Sequence, residues 1–403
     1  LANPPFTTQK SLAGLLQFSL HSPKKQSIMN IHDFDDIRPF LPEELPSVFQ
    51  TLLNDEGFQE ALQTVYKDVP FEQLKGMMLS CKDNNEFQKR MVYPVLTGLL
   101  KKASLGLTSD YNSISDSGSC HTFISNHRDI VLDSALLDYS LIDNGMTTVE
   151  IAIGDNLLIR PWIKDLVRVN KSFIVQRSLN MRQMLLASAK MSKYMHFTIN
   201  EKHEHIWIAQ REGRAKDSND QTQESVLKMM SMGGDLRKLN IVPLAISYEF
   251  DPCDYLKAEE FQHKRDIEGF KKSQQDDLDN MRTGIFGYKG HIHYQAAPCI
   301  NEWLDTLPAD MPKADYFKAV ATHIDEEIYR NYQLYPCNFI ALDLLEGATD
   351  HCDHYSEQDK QQFEAYLEKK LGMITLEHPD MPYLRERILT MYANPAKNKL
   401  NQA

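Results

Sequence analysis

Apolar and polar residues recur along this chain with two different periods, and the change of period divides it. From about residue 30 to 105 the spacing is helical. Pro42-Glu43-Glu44-Leu45 opens one pattern that continues through Val48, Leu52 and Leu53, and others cover 58–66 and 86–102. From about 120 to 300, short apolar runs alternate with helical patterns. The runs 121–125, 148–154, 172–176, 205–210, 241–248 and 291–297 read as strands, with helical patterns at 134–143, 159–167, 181–195 and 225–232. The charged stretch 259–279 reads as an exposed helix or an insertion, and 313–394 is helical again.

Strands that alternate with helices predict an α/β fold, a mainly parallel sheet flanked by helices. At 403 residues the chain has room for two or three domains. The expected division is an N-terminal helical domain over 29–110, an α/β domain over 111–310 and a helical C-terminal region over 311–403. Residues 1–28 hold no acid and look unlike the rest of the chain, so they are expected to be an extension or a disordered arm.

Composition narrows the class. Hydrophobic residues at 42% and charged residues at 25% are ordinary for a globular chain in water. The run 91–100 is too short to span a bilayer and reads as a core helix. Six scattered cysteines without a C-x-x-C fit a reducing compartment, so a cytoplasmic location is expected. With no span expected, any lipid would be met at a surface, which makes a peripheral place at the inner face of the cell membrane the expectation. The net charge of −12 is uneven. Residues 156–216 carry 12 Lys/Arg against 4 Asp/Glu, a local +8 that leaves −20 for the remainder. Such a segment is either a solvated helix face or a contact for phosphorylated substrate or an anionic membrane surface, with Pro161 and Trp162 beside it. An acidic chain with one basic segment argues against nucleic-acid binding.

Several familiar sites are excluded. The chain has no G-x-S-x-G elbow, no G-x-G-x-x-G, no Walker loop and no H-E-x-x-H. His127-Arg128-Asp129 imitates a kinase catalytic loop, yet the downstream Asn is missing. His203-Glu204-His205, His291-Ile292-His293 and His351-Cys352-Asp353-His354 lack the spacing of a tetrahedral metal site, and no metal is expected.

What remains is a set of strand ends. The strand 121–125 stops at Asn126-His127-Arg128-Asp129, and a helical pattern with Asp133 near its start follows. A histidine at the carboxyl end of a strand, with a carboxylate near, has the make-up of a general base. The strand 172–176 ends in Arg177. The strand 205–210 runs into Arg211-Glu212-Gly213-Arg214-Ala215-Lys216, where glycine permits a sharp turn beside three cations. The strand 241–248 carries Pro243 and ends in Tyr248-Glu249.

In this order the four blocks resemble the glycerolipid acyltransferases, the glycerol-3-phosphate and 1-acylglycerol-3-phosphate acyltransferases. That family carries H-x4-D, an F-I-x-R strand, E-G-x-R and an apolar strand around a proline. The resemblance spans about residues 120–300. It implies an α/β acyltransferase in which His127 is the base. Asn126, Arg128, Arg177, Glu212, Gly213, Arg214, Lys216 and Pro243 would form the substrate site. It implies no cofactor, an acyl-CoA or acyl-ACP co-substrate, and a glycerophosphate or lysophospholipid acceptor.

Two departures stand out. Five residues after His127 comes Leu132, and the acids lie two and six residues on, at Asp129 and Asp133. Asp is a favoured helix cap, and helical side chains lean toward the N-terminus. Asp133 is therefore expected to reach His127, with Asp129 as cap. The helix N-terminus after Asn126 is expected to help hold an oxyanion. In the third block Arg214 follows Glu212 by two residues, and Ala215 holds the family's arginine position. These departures motivate one alternative, an acyltransferase-like binding module that has lost catalysis. Another keeps the chemistry and changes the acceptor, to lysophosphatidate or a non-phosphorylated lipid.

Overall fold

The computed structural model describes residues 29–114, 118–177 and 179–402. The extension expected at 1–28 lies outside them. A seven-stranded sheet runs through the centre: β1 Gly106–Asp110, β2 Thr122–Ser125, β3 Val149–Gly154, β4 Ser172–Val175, β5 His205–Ala209, β6 Ile241–Tyr248 and β7 His291–Ala296, in the order β1-β7-β6-β2-β5-β3-β4. Pairing is parallel except between β6 and β7. The expected mainly parallel α/β fold is therefore present.

The central strands are buried on both faces, which is why they read as continuous apolar runs. Successive side chains serve opposite cores. Phe123, Trp207, Val242 and Leu244 pack with Leu136 and Leu137 of the Leu132–Asp143 helix. Ile124, Ile206, Ile208 and Ile241 pack with Tyr194 and Met195 of the Met181–Phe197 helix and with Ile324 and Ile328 of the Lys313–Arg330 helix. Two further cores are helical: one unites the N-terminal helices with the Pro161–Val169 helix, and the other unites the C-terminal helices.

Three expectations need correction. The segment 29–110 is not wholly helical, because β1 lies within it and pairs with β7. Its sequence, Gly-Leu-Thr-Ser-Asp, has one large apolar residue, so an edge strand here shows no alternation. The expected helix at 86–102 is interrupted by a π turn at Gln88–Val92 just before Pro94. Proline lacks an N–H and crowds the preceding turn, which such a bulge relieves. The stretch 259–279 is not one exposed helix but parts of two, Asp254–Asp266 and Gln274–Phe286, and the first buries Lys257 and Glu260.

Candidate functional site

β2 delivers the chain to the carboxyl edge of the sheet and Asn126 fixes it there. Its side chain donates to the Ile246 carbonyl at 2.9 Å and accepts from the Ile246 N–H at 2.8 Å, bridging β2 to β6. Asn126 is fully buried. Both ends of its amide are engaged, so it acts on the sheet and not on a ligand.

His127 follows, and its ring meets the Trp207 ring edge-on at 6.1 Å. Trp207 is itself held by an indole hydrogen bond to Ser125 Oγ at 3.0 Å. His127 Nδ1 lies 2.8 Å from Asp133 Oδ2. The same carboxylate accepts from the backbone N–H groups of Arg128 at 2.7 Å and Asp129 at 3.0 Å. Asp133 is fully buried in the first turn of its helix. Asp129 Oδ1 accepts from the N–H groups of Val131 and Leu132, both at 2.8 Å. Of the two acids, then, Asp133 touches the imidazole and Asp129 closes the turn that begins the helix. Burial, and then the charge of Asp133, raise the Asp129 carboxyl above its ordinary range.

That arrangement corrects the oxyanion expectation. The N–H groups of Arg128, Asp129, Val131 and Leu132 all face the chain's own carboxylates. The helix start is already occupied as an anion site.

Arg128 is also turned away. It is buried, bonds Ser218 Oγ through Nη1, and lies 3.8 Å from Asp251 Oδ2 through Nη2. Lys257 Nζ meets the same Asp251 oxygen at 2.5 Å. Burial opposes a charge on Asp251, but Lys257 and Arg128 outweigh it and hold the carboxyl well below its usual range. Pro243 stays in the sheet, opposite Ile124 of β2. Its carbonyl accepts from the Ala297 N–H just past the end of β7. The missing N–H points to the same side, where the ladder has ended.

The other expected residues converge. A cavity of about 540 Å³ opens at the carboxyl edge and is lined by His127, Arg177, Glu212, Gly213, Arg214 and Lys216. Ile153, Ile163, Val167, Met184 and Met191 provide an apolar wall. Arg177 Nη1 lies 3.2 Å from Glu212 Oε1, and its backbone N–H donates to Asp155 at 3.1 Å. A Cβ on Gly154 would sit 2.9 Å from Arg177 Nε, so only glycine lets the arginine lie here unmoved. Gly213 has φ +69°, the left-handed turn that carries the chain from Glu212 to Arg214.

Arg214 is buried. One terminal nitrogen, Nη2, bonds Asn280 Oδ1 at 3.2 Å, and the other, Nη1, has no hydrogen-bond partner among the described residues. Lys216 Nζ lies 3.5 Å from Glu260. Burial, and then the charge of Arg214, pull its ammonium down to about 7. Lys216 lines the cavity together with three other cations, Arg177, Arg211 and Arg214.

Sequence reasoning missed what holds this wall. Asp220 Oδ1 accepts from the His127 N–H at 3.4 Å, and its carbonyl accepts from the Tyr329 hydroxyl. Thr222 donates its N–H at 2.7 Å and its hydroxyl at 2.6 Å to Asp325 Oδ1 on the Lys313–Arg330 helix. Asn394 donates to the Asp217 carbonyl at 2.8 Å. The polar run 217–222 reads as a solvated loop, and nothing local marks these partners, 93 to 177 residues away. Trp162 was expected near a membrane contact, but it packs against Phe58, at 6.0 Å, in the N-terminal core.

No group of three or more His, Cys, Asp or Glu side chains is placed to hold a metal among the described residues. Likewise no helix among them is long and apolar enough to cross a membrane.

No known protein-family model matches the chain, and no curated protein matches it. Among solved structures, it is similar to the crystal structure of the 1-acyl-sn-glycerophosphate (LPA) acyltransferase PlsC from Thermotoga maritima. The TM-score is 0.35 and the identity 11%, over 72% of this chain and 98% of that one. A likeness of that size assigns no role to any residue here.

Proposed function

We propose that this chain transfers a fatty acyl group from a thioester, acyl-ACP or acyl-CoA, to the hydroxyl of glycerol 3-phosphate or 1-acylglycerol 3-phosphate. One observation carries the reading. His127, with Nδ1 held by buried Asp133, borders a cavity lined both by cations and by apolar side chains. Asp133 orients the ring, so Nε2 is the nitrogen left to take a proton. It would remove the acceptor's hydroxyl proton as the oxygen attacks the thioester carbonyl. The C–O bond forms, the C–S bond breaks, and the imidazolium returns the proton to the leaving thiolate. No covalent acyl-enzyme is needed. Arg214, Lys216 and Arg177 are suited to the acceptor's phosphate, and the apolar wall to an acyl chain.

The test is thiol release from an acyl thioester by the purified protein, with a panel of acceptors. Release is expected with a phosphorylated glycerol acceptor and is expected to vanish in His127→Ala. Near-normal transfer by His127→Ala would sink the mechanism. Release only with a non-phosphorylated lipid would keep the base and reassign the cations. No release with any acceptor would leave a binding module.

A further inference from the structure

The Met181–Phe197 helix begins with an exposed turn. Residues 181–186 are all exposed, and four of them are large and apolar: Met181 at 89% exposure, Met184 at 46%, Leu185 at 61% and Leu186 at 64%. The turn follows β4, so it stands at the carboxyl edge of the sheet, the edge that carries His127. Ile159, after the end of β3, is exposed at the same edge. Met184, on the same turn, lines the cavity, so the apolar surface continues from the outside into the site. A monomer in water does not gain by presenting such a ridge, and a ridge of this kind marks a contact.

Charge indicates which contact. From Arg177 to Asn200 the chain holds no acid, although its total charge is −12. Arg160 and Arg182 are exposed beside the apolar residues, whereas Lys190, further along, is paired with Asp36. Aliphatic side chains flanked by arginines match the boundary between headgroups and acyl chains of an anionic bilayer. We infer that Met181, Leu185, Leu186 and Ile159 insert into an anionic membrane surface and set the mouth of the cavity against the lipid. This surface differs from the Pro161–Trp162 contact that composition suggests, because Trp162 belongs to a core.

The experiment is flotation of the full chain with vesicles of phosphatidylcholine, with and without phosphatidylglycerol. Binding is expected only when phosphatidylglycerol is present and is expected to weaken as salt rises. The triple variant M181Q/L185Q/L186Q should bind at least about ten-fold more weakly, and Arg182→Gln should lose part of the affinity. Unchanged binding by the triple variant, with an unchanged circular dichroism spectrum, would overturn the inference. So would absence of vesicle binding together with capture of an acidic carrier protein by the same residues. The readout requires no turnover. Failure here leaves the acyl-transfer reading standing, and failure of acyl transfer leaves the docking surface standing.

Discussion

Oδ2 of Asp133 stands 2.8 Å from Nδ1 of His127, and its carboxylate also closes on the backbone N–H groups of Arg128 and Asp129. One buried carboxylate thus sets both the imidazole and the backbone that presents it. Asp133→Asn keeps the volume but loses the charge and one lone-pair set. Thiol release should fall about 10²–10⁴-fold, the range for a mispositioned general base. Asp133→Ala should also orphan two buried N–H groups and lower stability by about 1–3 kcal/mol for each. Single-turnover transfer and denaturant unfolding on the same preparations separate the two effects. Normal transfer in Asp133→Asn would remove Asp133 from the site.

Asp129 makes the contrast. Its bonds run to the N–H groups of Val131 and Leu132 and not to the ring. Asp129→Asn retains the acceptor oxygen and should keep most transfer activity. Val131 and not Asp129 is the residue that precedes the helix, so Asp129 acts from the turn ahead of it. Asp129→Ala should cost about 1 kcal/mol of stability by removing the acceptor of two N–H groups. If Asp129→Asn abolished transfer as completely as Asp133→Asn, the division of labour between the two acids would be wrong.

Arg214 and Arg177 differ in burial, and their effects should differ with it. Arg214 lies buried with one terminal nitrogen, Nη1, lacking a hydrogen-bond partner among the described residues, whereas Arg177 is more than a third exposed. Arg214→Gln should raise KM for a phosphorylated acceptor by about 10–100-fold, the equivalent of one charge-assisted bond. Arg177→Gln, at an exposed pair, should change it less, by about 1 kcal/mol or under. A non-phosphorylated acceptor should respond to neither. Equal losses with both acceptors would mean that Arg214 holds the loop and not the phosphate.

Much of this was legible in the sequence where physics acts locally. Six of the seven strands are readable within one position: five are mainly buried, and β7 alternates buried Ile292, Tyr294 and Ala296 with His291, His293 and Gln295. Asp133 could be placed because a helix start dictates which way its side chain leans. β1 was not readable, since five residues with one apolar side chain carry no period. Asn126, Arg128 and Pro243 were misassigned because a motif position reveals what is near a site but not which way a side chain turns. Arg128 could as well have faced the cavity. It faces Asp251 and Ser218, both distant in sequence. Asp220 and Asp325 were missed for the same reason, since their partners come from other parts of the fold.

Asp325 ties the cation loop to the C-terminal helices, and it makes stability depend on pH. Burial raises its carboxyl to about 7, against the opposing effect of its hydrogen bonds from Thr222. A raised folded value means that the folded state binds the proton more tightly than the unfolded chain does. Its contribution to stability is therefore complete below the ordinary carboxylate range and is lost as pH rises to about 7. Urea midpoints across that window should fall for the native chain relative to Asp325→Asn. Parallel curves for the two proteins would show that Asp325 does not titrate there.

Lys216 supplies the complementary signal in activity. Burial, then Arg214, lower its ammonium to about 7, so the free protein loses this cation as pH rises through neutrality. An anionic acceptor then meets one positive charge fewer. kcat/KM for a phosphorylated acceptor reports the free protein's ionisations and should decline above about pH 7. Lys216→Arg keeps its charge throughout, because a guanidinium does not deprotonate in this range, and its decline should disappear. Lys216→Gln should be lower at acidic pH and flat above it. With a non-phosphorylated acceptor, the native protein and both variants should share one profile above neutrality. A decline that persists unchanged in Lys216→Arg would assign the titration to another group and separate Lys216 from the phosphate.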